Sequence, residues 1–361
     1  MNPDYYGSEP NPGNVVTALT QFGAKELYNI VEKSFQYFRD GVAARAGNVM
    51  QVYVKEKRTT KKLFRKTQQD YSTYARFKAE LGLTPRGKYG IGFHKDIFMK
   101  TIALEQVMSD EAYTYEEPAD GWNALTLIVK ALADTTSSRM YLDMTQQAFT
   151  FAASPTYVDM DGQIIDNMTG DGVSLANAAH LLAHVPATYT NLGPSVLFSK
   201  SALKIDERIA RNNTLDNFGK RAIMNMTHIW FTGDSENKEE ILQFIKSRTD
   251  NTQANPEVVN TYFGVYKPLE LQLIDTDVQG DPDSLKSNYW GIIGLDGNLL
   301  DGNRFSGILG VWEMPRLKPF PNGSNNAVDF SRDALKWASR CRYGIGFLDG
   351  QHVIYNFAPN I

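Results

Sequence analysis

The chain holds a single cysteine, Cys341, among 361 residues. That excludes an intrachain disulfide and a thiolate metal cluster, so cohesion must come from packing and association. No run of about 18 apolar residues occurs, which excludes a membrane-spanning helix. The opening MNPDYYGSEPNPG has neither the basic nor the apolar region of a secretory signal, so the sequence predicts no export by that route and a cytosolic place of synthesis. No G-x-S-x-G stretch is present to suggest a serine nucleophile on an elbow.

What is there reads as globular. Hydrophobic residues make up 42% and charged residues 22%, and aromatics at 12% favour strands and broad packed surfaces. The length admits one large domain or two to three smaller ones. The net charge of −4 is unevenly spread. Fourteen basic and four acidic residues put segment 41–100 at +10, and the remaining twenty-three basic and thirty-seven acidic residues put the rest at −14. A basic arm on an acidic body predicts association between copies.

Along the chain, Val15, Leu19, Phe22, Leu27, Ile30, Phe35 and Phe38 recur at helical steps and predict an amphipathic helix ending before Gly41. From Met50 to Tyr113, MQVYVKEKRTTKKLFRKT and KDIFMKTIALEQV predict a long, charged, poorly buried hairpin. Pro118 opens a helix whose stripe Leu125, Ile128, Leu132, Met140, Met144, Ala148 and Phe151 spans about thirty residues, with a break or bend expected at TTSS, 135–138. A Gly/Asp loop comes next, then a serine-capped helix over 199–212 with Leu203, Ile205 and Ile209 on its apolar side. Strands and one further helix succeed it, and the last two strands are expected to form a hairpin turning at Asp349-Gly350. Without a repeating βαβ rhythm, the class predicted is α+β.

Four motifs invite chemistry. Gly82-Leu-Thr-Pro-Arg-Gly-Lys88 matches most of a phosphate loop, but Tyr89 stands where a magnesium-binding hydroxyl belongs, and Gly90 and Gly92 oppose helix initiation. The string YGIGF recurs at 343–347 without the Gly-Lys stretch, which favours a strand-and-turn role. His180 and His184 in HLLAH have zinc-peptidase spacing, but Leu181 replaces the catalytic glutamate and Pro186 ends any helix, so two structural histidines are expected. Asp159, Asp161, Asp166 and Asp171 suggest calcium, yet Gly170 occupies the twelfth position, and a solvated turn is expected. The basic run Lys55, Lys57, Arg58, Lys61, Lys62, Arg65 and Lys66 supplies candidate inter-subunit contacts; it lacks the base-stacking signature of a nucleic-acid reader.

The order of these features, together with DGVSLANAAHLLAHVPATYTNLGPSVLFSKSAL at 171–203, resembles the major capsid proteins of tailed bacteriophages with the HK97-like fold. In that segment His180, Asn191 and Ser199 to Leu203 hold the family's places. The resemblance implies an N-terminal arm over 1–47, an extended loop over 48–112, a peripheral domain with its spine helix over 113–205, an axial domain over 206–325 and return strands over 326–361. It implies a non-enzymatic subunit of an icosahedral virion shell, assembled in the host cytoplasm as hexamers and pentamers around double-stranded DNA. Portal, scaffold and decoration proteins are the further partners it implies, with no cofactor, metal or membrane. Some members crosslink lysine to asparagine; no partner asparagine matches here, so non-covalent assembly is expected. An encapsulin-like nanocompartment shares the fold, and a soluble hydrolase using Lys88 or the two histidines is the reading from another class.

Overall fold

The computed structural model describes residues 23–57, 63–71, 89–109, 118–213, 215, 217–221, 225–233, 236–249, 259–296, 304–305, 307–317, 328–329 and 334–358. The start of the expected first helix, the 82–88 stretch, and Arg58, Lys61 and Lys62 lie outside these residues. Helices and strands are mixed, as the α+β reading expects. Among the described residues no helix is long and apolar enough to cross a membrane. The chain divides into two units, one drawn from 1–45, 100–140 and 311–343, the other from 46–99, 141–310 and 344–361.

In the first unit, helix α1 (Gly23–Ala46) and the leading part of α2 (Pro118–Thr145) share one core. Val31 and Phe35 meet Val129, Leu132 and Ala133, together with Leu317 and Trp337 from the strands. Helix α1 runs through Gly41 instead of stopping before it. An internal glycine costs only about 1 kcal/mol against alanine, and the next residue, Val42, is again buried. Helix α2 likewise continues unbroken through TTSS. The Thr136 hydroxyl meets the Ser339 hydroxyl, so a polar residue facing the strands finds a partner. Strand β4 (Lys100–Ser109) pairs antiparallel with β14 (Ala334–Phe347) from Lys100↔Tyr343 to Ser109↔Ala334. The short β13 (Val328–Asp329) pairs with the start of β14.

The second unit is organised by a four-stranded sheet in the order β10 (Lys267–Leu271), β9 (His228–Thr232), β11 (Trp290–Ile293), β15 (Val353–Asn356). Strands β9 and β10 are parallel, with helix α4 (Glu236–Lys246) between them in sequence; the other pairs are antiparallel. Every residue of β9, β11 and β15 is buried, which is why these segments read as continuous runs such as HIWFT and WGII. On one side Ile229, Phe231, Trp290, Ile292 and Ile354 pack with Leu203 of α3 (Lys200–Asn213) and Ile241 of α4. Another cluster packs Phe149 against Trp230 with ring centres 4.9 Å apart and planes tilted by 51°, and Tyr355 lies 5.6 Å from Trp230. The irregularity expected at TTSS occurs instead in the π-helical turn Gln146–Thr150. There the Tyr53 phenol donates to Met144 O at 2.6 Å and Tyr355 to Ala148 O at 2.9 Å.

The expected hairpin at Asp349-Gly350 does not form. Strand β14 belongs to one sheet and β15 to another, so the turn hands the chain between sheets. Local turn chemistry does not specify which neighbour the next strand joins. Three loops of the second unit repeat one design: DMDGQ at 159–163, TGDGV at 169–173 and DVQGD at 277–281. In each the first residue's amide donates to the fifth residue's carbonyl, and the fourth residue is glycine with φ of +75, +84 or +87. Gly162 has nothing within 4 Å of a would-be Cβ, so Gly162→Ala is a test of backbone conformation alone. It is expected to lower stability by about 1 kcal/mol, read as a lowered urea midpoint at unchanged slope.

Candidate assembly surface

Strands β2 (Leu63–Tyr71) and β3 (Tyr89–Phe98) form an antiparallel ribbon. Leu63 faces Phe98, Arg65 faces Asp96 and Thr67 faces His94; past a register shift, Gln69 faces Ile91 and Tyr71 faces Tyr89. Gly92 and Phe93 together oppose Gln68, a bulge of one residue, and such a bulge moves the side chains beyond it to the opposite face. Tyr89 and Ile91 on one side of the bulge therefore share the outer face with His94, Asp96 and Phe98 on the other. Tyr89 and Ile91 are each 69% exposed, Phe98 68% and Leu63 40%.

The hairpin expected over 50–113 is not one ribbon: KDIFMKTIALEQV divides at Met99, with β3 in the ribbon and β4 paired with β14, because pairing with a distant strand takes over where the local alternation would continue. The ribbon that does form is docked on its own unit by its inner face, so it is poorly buried on one face only. Phe64 and Ile97 are buried with Ile308. Lys66 pairs with Glu56, and Lys95 Nζ lies 2.5 Å from Asp166 Oδ2. These carboxylates relieve the repulsion of two lysines directly opposite in register. Further out, Gln68 Nε2 donates to Asp349 Oδ2 at 3.2 Å. Asp70 accepts from Asn217 Nδ2 at 2.8 Å and meets His184 Nε2 at 2.9 Å. A Cβ on Gly90 would stand 2.7 Å from His184 Cε1, and one on Gly92 2.4 Å from Asp70 Oδ2. The Gly-x-Gly of YGIGF lets this strand face approach its support. That spacing, glycine at a period of two, is the signal in the sequence that could have marked a close approach here.

Of the basic candidates, Lys55 and Lys57 are exposed on β1 (Tyr53–Lys57). Arg65 forms a two-point pair with Asp96, both oxygens at 2.7 Å, and its hydrogen bond holds the Asp96 carboxyl below the usual range. Lys66 is engaged by Glu56. The residues missed as members of this surface are Tyr89, Ile91 and the anchoring Asp70; a count of charges does not report which face of a ribbon is covered.

Where the described residues include them, the motifs noted for chemistry are taken up by structural contacts. Tyr89 opens a strand, where a phosphate loop's lysine would start a helix. His180 begins the two-residue strand β7 (His180–Leu181) and His184 lies beyond it, so they do not share a helical face. Pro186 and the packing of each ring decide this: His180 stacks on Tyr189 at 4.9 Å, His184 on Phe218 at 4.5 Å. His180 Nδ1 is 2.9 Å from Asp171 Oδ2 and its Nε2 is 3.1 Å from Leu175 O.

Asp161 and Asp166 are exposed, as the solvated-turn reading expects, whereas the Asp159 and Asp171 side chains are buried. Asp159 Oδ1 accepts from the amides of Asp161 and Gln163, and Asp166 Oδ1 from that of Met168. Asp171 accepts from Thr169 and from the Leu181 amide at 3.0 Å. Burial pushes the Asp171 carboxyl up, but hydrogen bonds from His180 and Thr169 hold it below the ordinary value. Among the described residues no group of three or more His, Cys, Asp or Glu is placed to hold a metal ion.

No protein-family model and no curated protein matches the chain. Among solved structures it is similar to a chain from Gordonia phage Cozz at 12% identity, covering 85% of this chain and 84% of that one with a TM-score of 0.46. It is also similar to chains from the capsid of Myoviridae phage XM1, at 10% identity, 87% and 91% coverage and a TM-score of 0.45, and from the capsid of cyanophage P-SCSP1u, at 9% identity, 86% and 87% coverage and a TM-score of 0.45. These chains share most of their length with it, at identities that carry no residue roles across.

Proposed function

We propose that the chain is the shell subunit of a tailed-phage head, assembling with copies of itself into an icosahedral capsid around double-stranded DNA. The observation that carries this reading is the two-faced ribbon. Two strands alone are marginal in water, and this pair is anchored along one face while Leu63, Tyr89, Ile91 and Phe98 stay exposed on the other. An exposed apolar ribbon invites unwanted pairing unless a partner covers it. A projection from one copy laid on the body of the next makes a head-to-tail contact, which closes into rings when the rotation permits. Hexamers and pentamers are such rings. Lys55 and Lys57 lie beside this ribbon, and the remainder of each copy is acidic. The sequence resemblance at 171–203 supports the same reading and adds portal, scaffold and decoration proteins as partners, the virion as destination and host cytoplasm as the site of assembly. The reading assigns the chain no catalytic step.

Light scattering and negative-stain microscopy of the purified protein test it. Tyr89→Ser with Ile91→Asp, and separately Lys55→Glu with Lys57→Glu, are expected to cut particle yield at least about tenfold. Far-UV circular dichroism and the urea midpoint should stay put, because exposed substitutions away from buried features shift stability by roughly 0.5 kcal/mol or less. Normal yield from both variants would remove the ribbon from its role. A wild-type protein that stays small at every salt and concentration would remove the shell reading itself.

A further inference from the structure

Between 200 and 221 the chain carries six basic residues, Lys200, Lys204, Arg208, Arg211, Lys220 and Arg221, against three acidic ones. This enrichment is hidden in a charge count because it lies within the acidic remainder. Helix α3 then separates the signs. Asp206 is fully buried, where its Oδ2 accepts from Asn356 Nδ2 at 2.6 Å. Glu207 is held by two phenols, Tyr266 at 2.6 Å and Tyr262 at 3.2 Å. Lys204, Arg208 and Arg211 are exposed. At 100° and 1.5 Å per residue these three fall within an arc of roughly 60° and rise about 6 Å and then about 4.5 Å along the helix. Lys220 and Arg221, also exposed, lie where the chain folds back, with Arg221 pairing antiparallel to Leu215.

We infer that the outer face of α3, with Lys204, Arg208 and Arg211, binds the phosphate backbone of double-stranded nucleic acid. The chemistry of the strip selects that partner. Protein interfaces accept arginine but are depleted in lysine, and their centres draw on aromatic rings and methionine beside the arginines. This face has only Ile205, 36% exposed, as an apolar contribution. Single-stranded nucleic acid is gripped by stacking bases on exposed rings, and among the described residues of 200–221 no aromatic side chain is exposed. Cations in a row, with the intervening acids turned away, suit a sequence-independent contact to phosphates. The inference rests on the shell reading only for the presence of a duplex beside the protein.

The test is fluorescence anisotropy of a labelled duplex of roughly 20 base pairs, titrated with the unassembled fraction of the full chain from about 50 to about 200 mM salt. The wild type is expected to bind with a steep salt dependence. The triple variant Lys204→Gln, Arg208→Gln, Arg211→Gln should lower the slope of log affinity against log salt by between about two and three, at about 0.9 per phosphate contact. The charge-keeping variant Lys204→Arg, Arg208→Lys, Arg211→Lys should retain it, which separates charge from folding. No binding by the wild type overturns the inference. So does an unchanged slope in the glutamine variant, most plainly if Lys55→Gln with Lys57→Gln abolishes binding instead. Particle formation is scored on the same preparations. Particles without α3-dependent binding sink this inference alone, and α3-dependent binding by a chain that never forms particles sinks the shell reading alone.

Discussion

Asn191→Ala is expected to destabilise the second unit by about 3 to 5 kcal/mol, the sum expected for breaking a buried network of three hydrogen bonds at about 1 to 3 kcal/mol each with partial relaxation. The Asn191 side chain is 1% exposed. Its Nδ2 donates to Leu175 O at 2.7 Å and to Gly350 O at 3.0 Å, and its Oδ1 accepts from the Asn177 amide at 2.8 Å. One amide thus ties the loop after β6 (Ile164–Asp166) to the turn between β14 and β15. Alanine would leave Gly350 O and the Asn177 amide buried without that partner. Leu175 O retains His180 Nε2 at 3.1 Å, which keeps the loss from being larger. Urea unfolding of the unassembled protein measures the effect, because assembly would add a concentration-dependent term. A loss below about 1 kcal/mol would mean that the loop and the turn do not depend on each other.

The same knot shows where sequence reasoning reaches and where it stops. Ser199 was legible as a helix cap because a cap is local: its Oγ accepts from the Ala202 amide at 3.1 Å. The apolar runs of β9 and β11 were legible because strands buried on both faces contain little else. Asp349-Gly350 was legible as a turn and illegible as a connection between sheets, since the strand beyond the turn is claimed by β11, far away in the chain. Ile205 kept to the helical period yet remains exposed, while Asp206 beside it is buried, because a partner at Asn356 outweighs the periodic pattern. The aspartates of the 159–171 loop looked solvated by composition; Asp161 and Asp166 are exposed, but Asp159 closes on the Asp161 and Gln163 amides and Asp171 meets His180, whose position depends on the fold. For the assembly surface, the basic charge was visible in the sequence. Which side of the ribbon bears it was not, because the bulge at Gly92 and Phe93 reverses the alternation on which any facing rests.

Asp206→Asn is expected to stabilise the protein at alkaline pH and to leave it nearly unchanged in acid. Burial, foremost, pushes the Asp206 carboxyl up to about 7; the nearby Glu207 charge adds to this and the Asn356 hydrogen bond opposes it. Between the ordinary value of 3.8 and about 7 the folded chain holds this proton while the unfolded chain has lost it. The folded state then binds more protons, so stability falls as pH rises through the window, by about 1.4 kcal/mol per unit and about 4 kcal/mol in all. The contribution is complete below that window and gone above it. Asparagine keeps the arrangement of the protonated acid, an acceptor toward Asn356 Nδ2 and a donor at Oδ1, which has no hydrogen-bond partner in the wild type. The variant has no charge to bury, so its advantage should grow from near zero at about pH 4 to a few kcal/mol at about pH 8. Asp349, pushed by burial to about 6, titrates in the same sense in both proteins and cancels in the difference between their urea midpoints. A difference that stays flat from acid to alkaline pH would show that Asp206 is ionised in the folded chain throughout, and that the buried face of α3 tolerates the charge its outward face displays with the opposite sign.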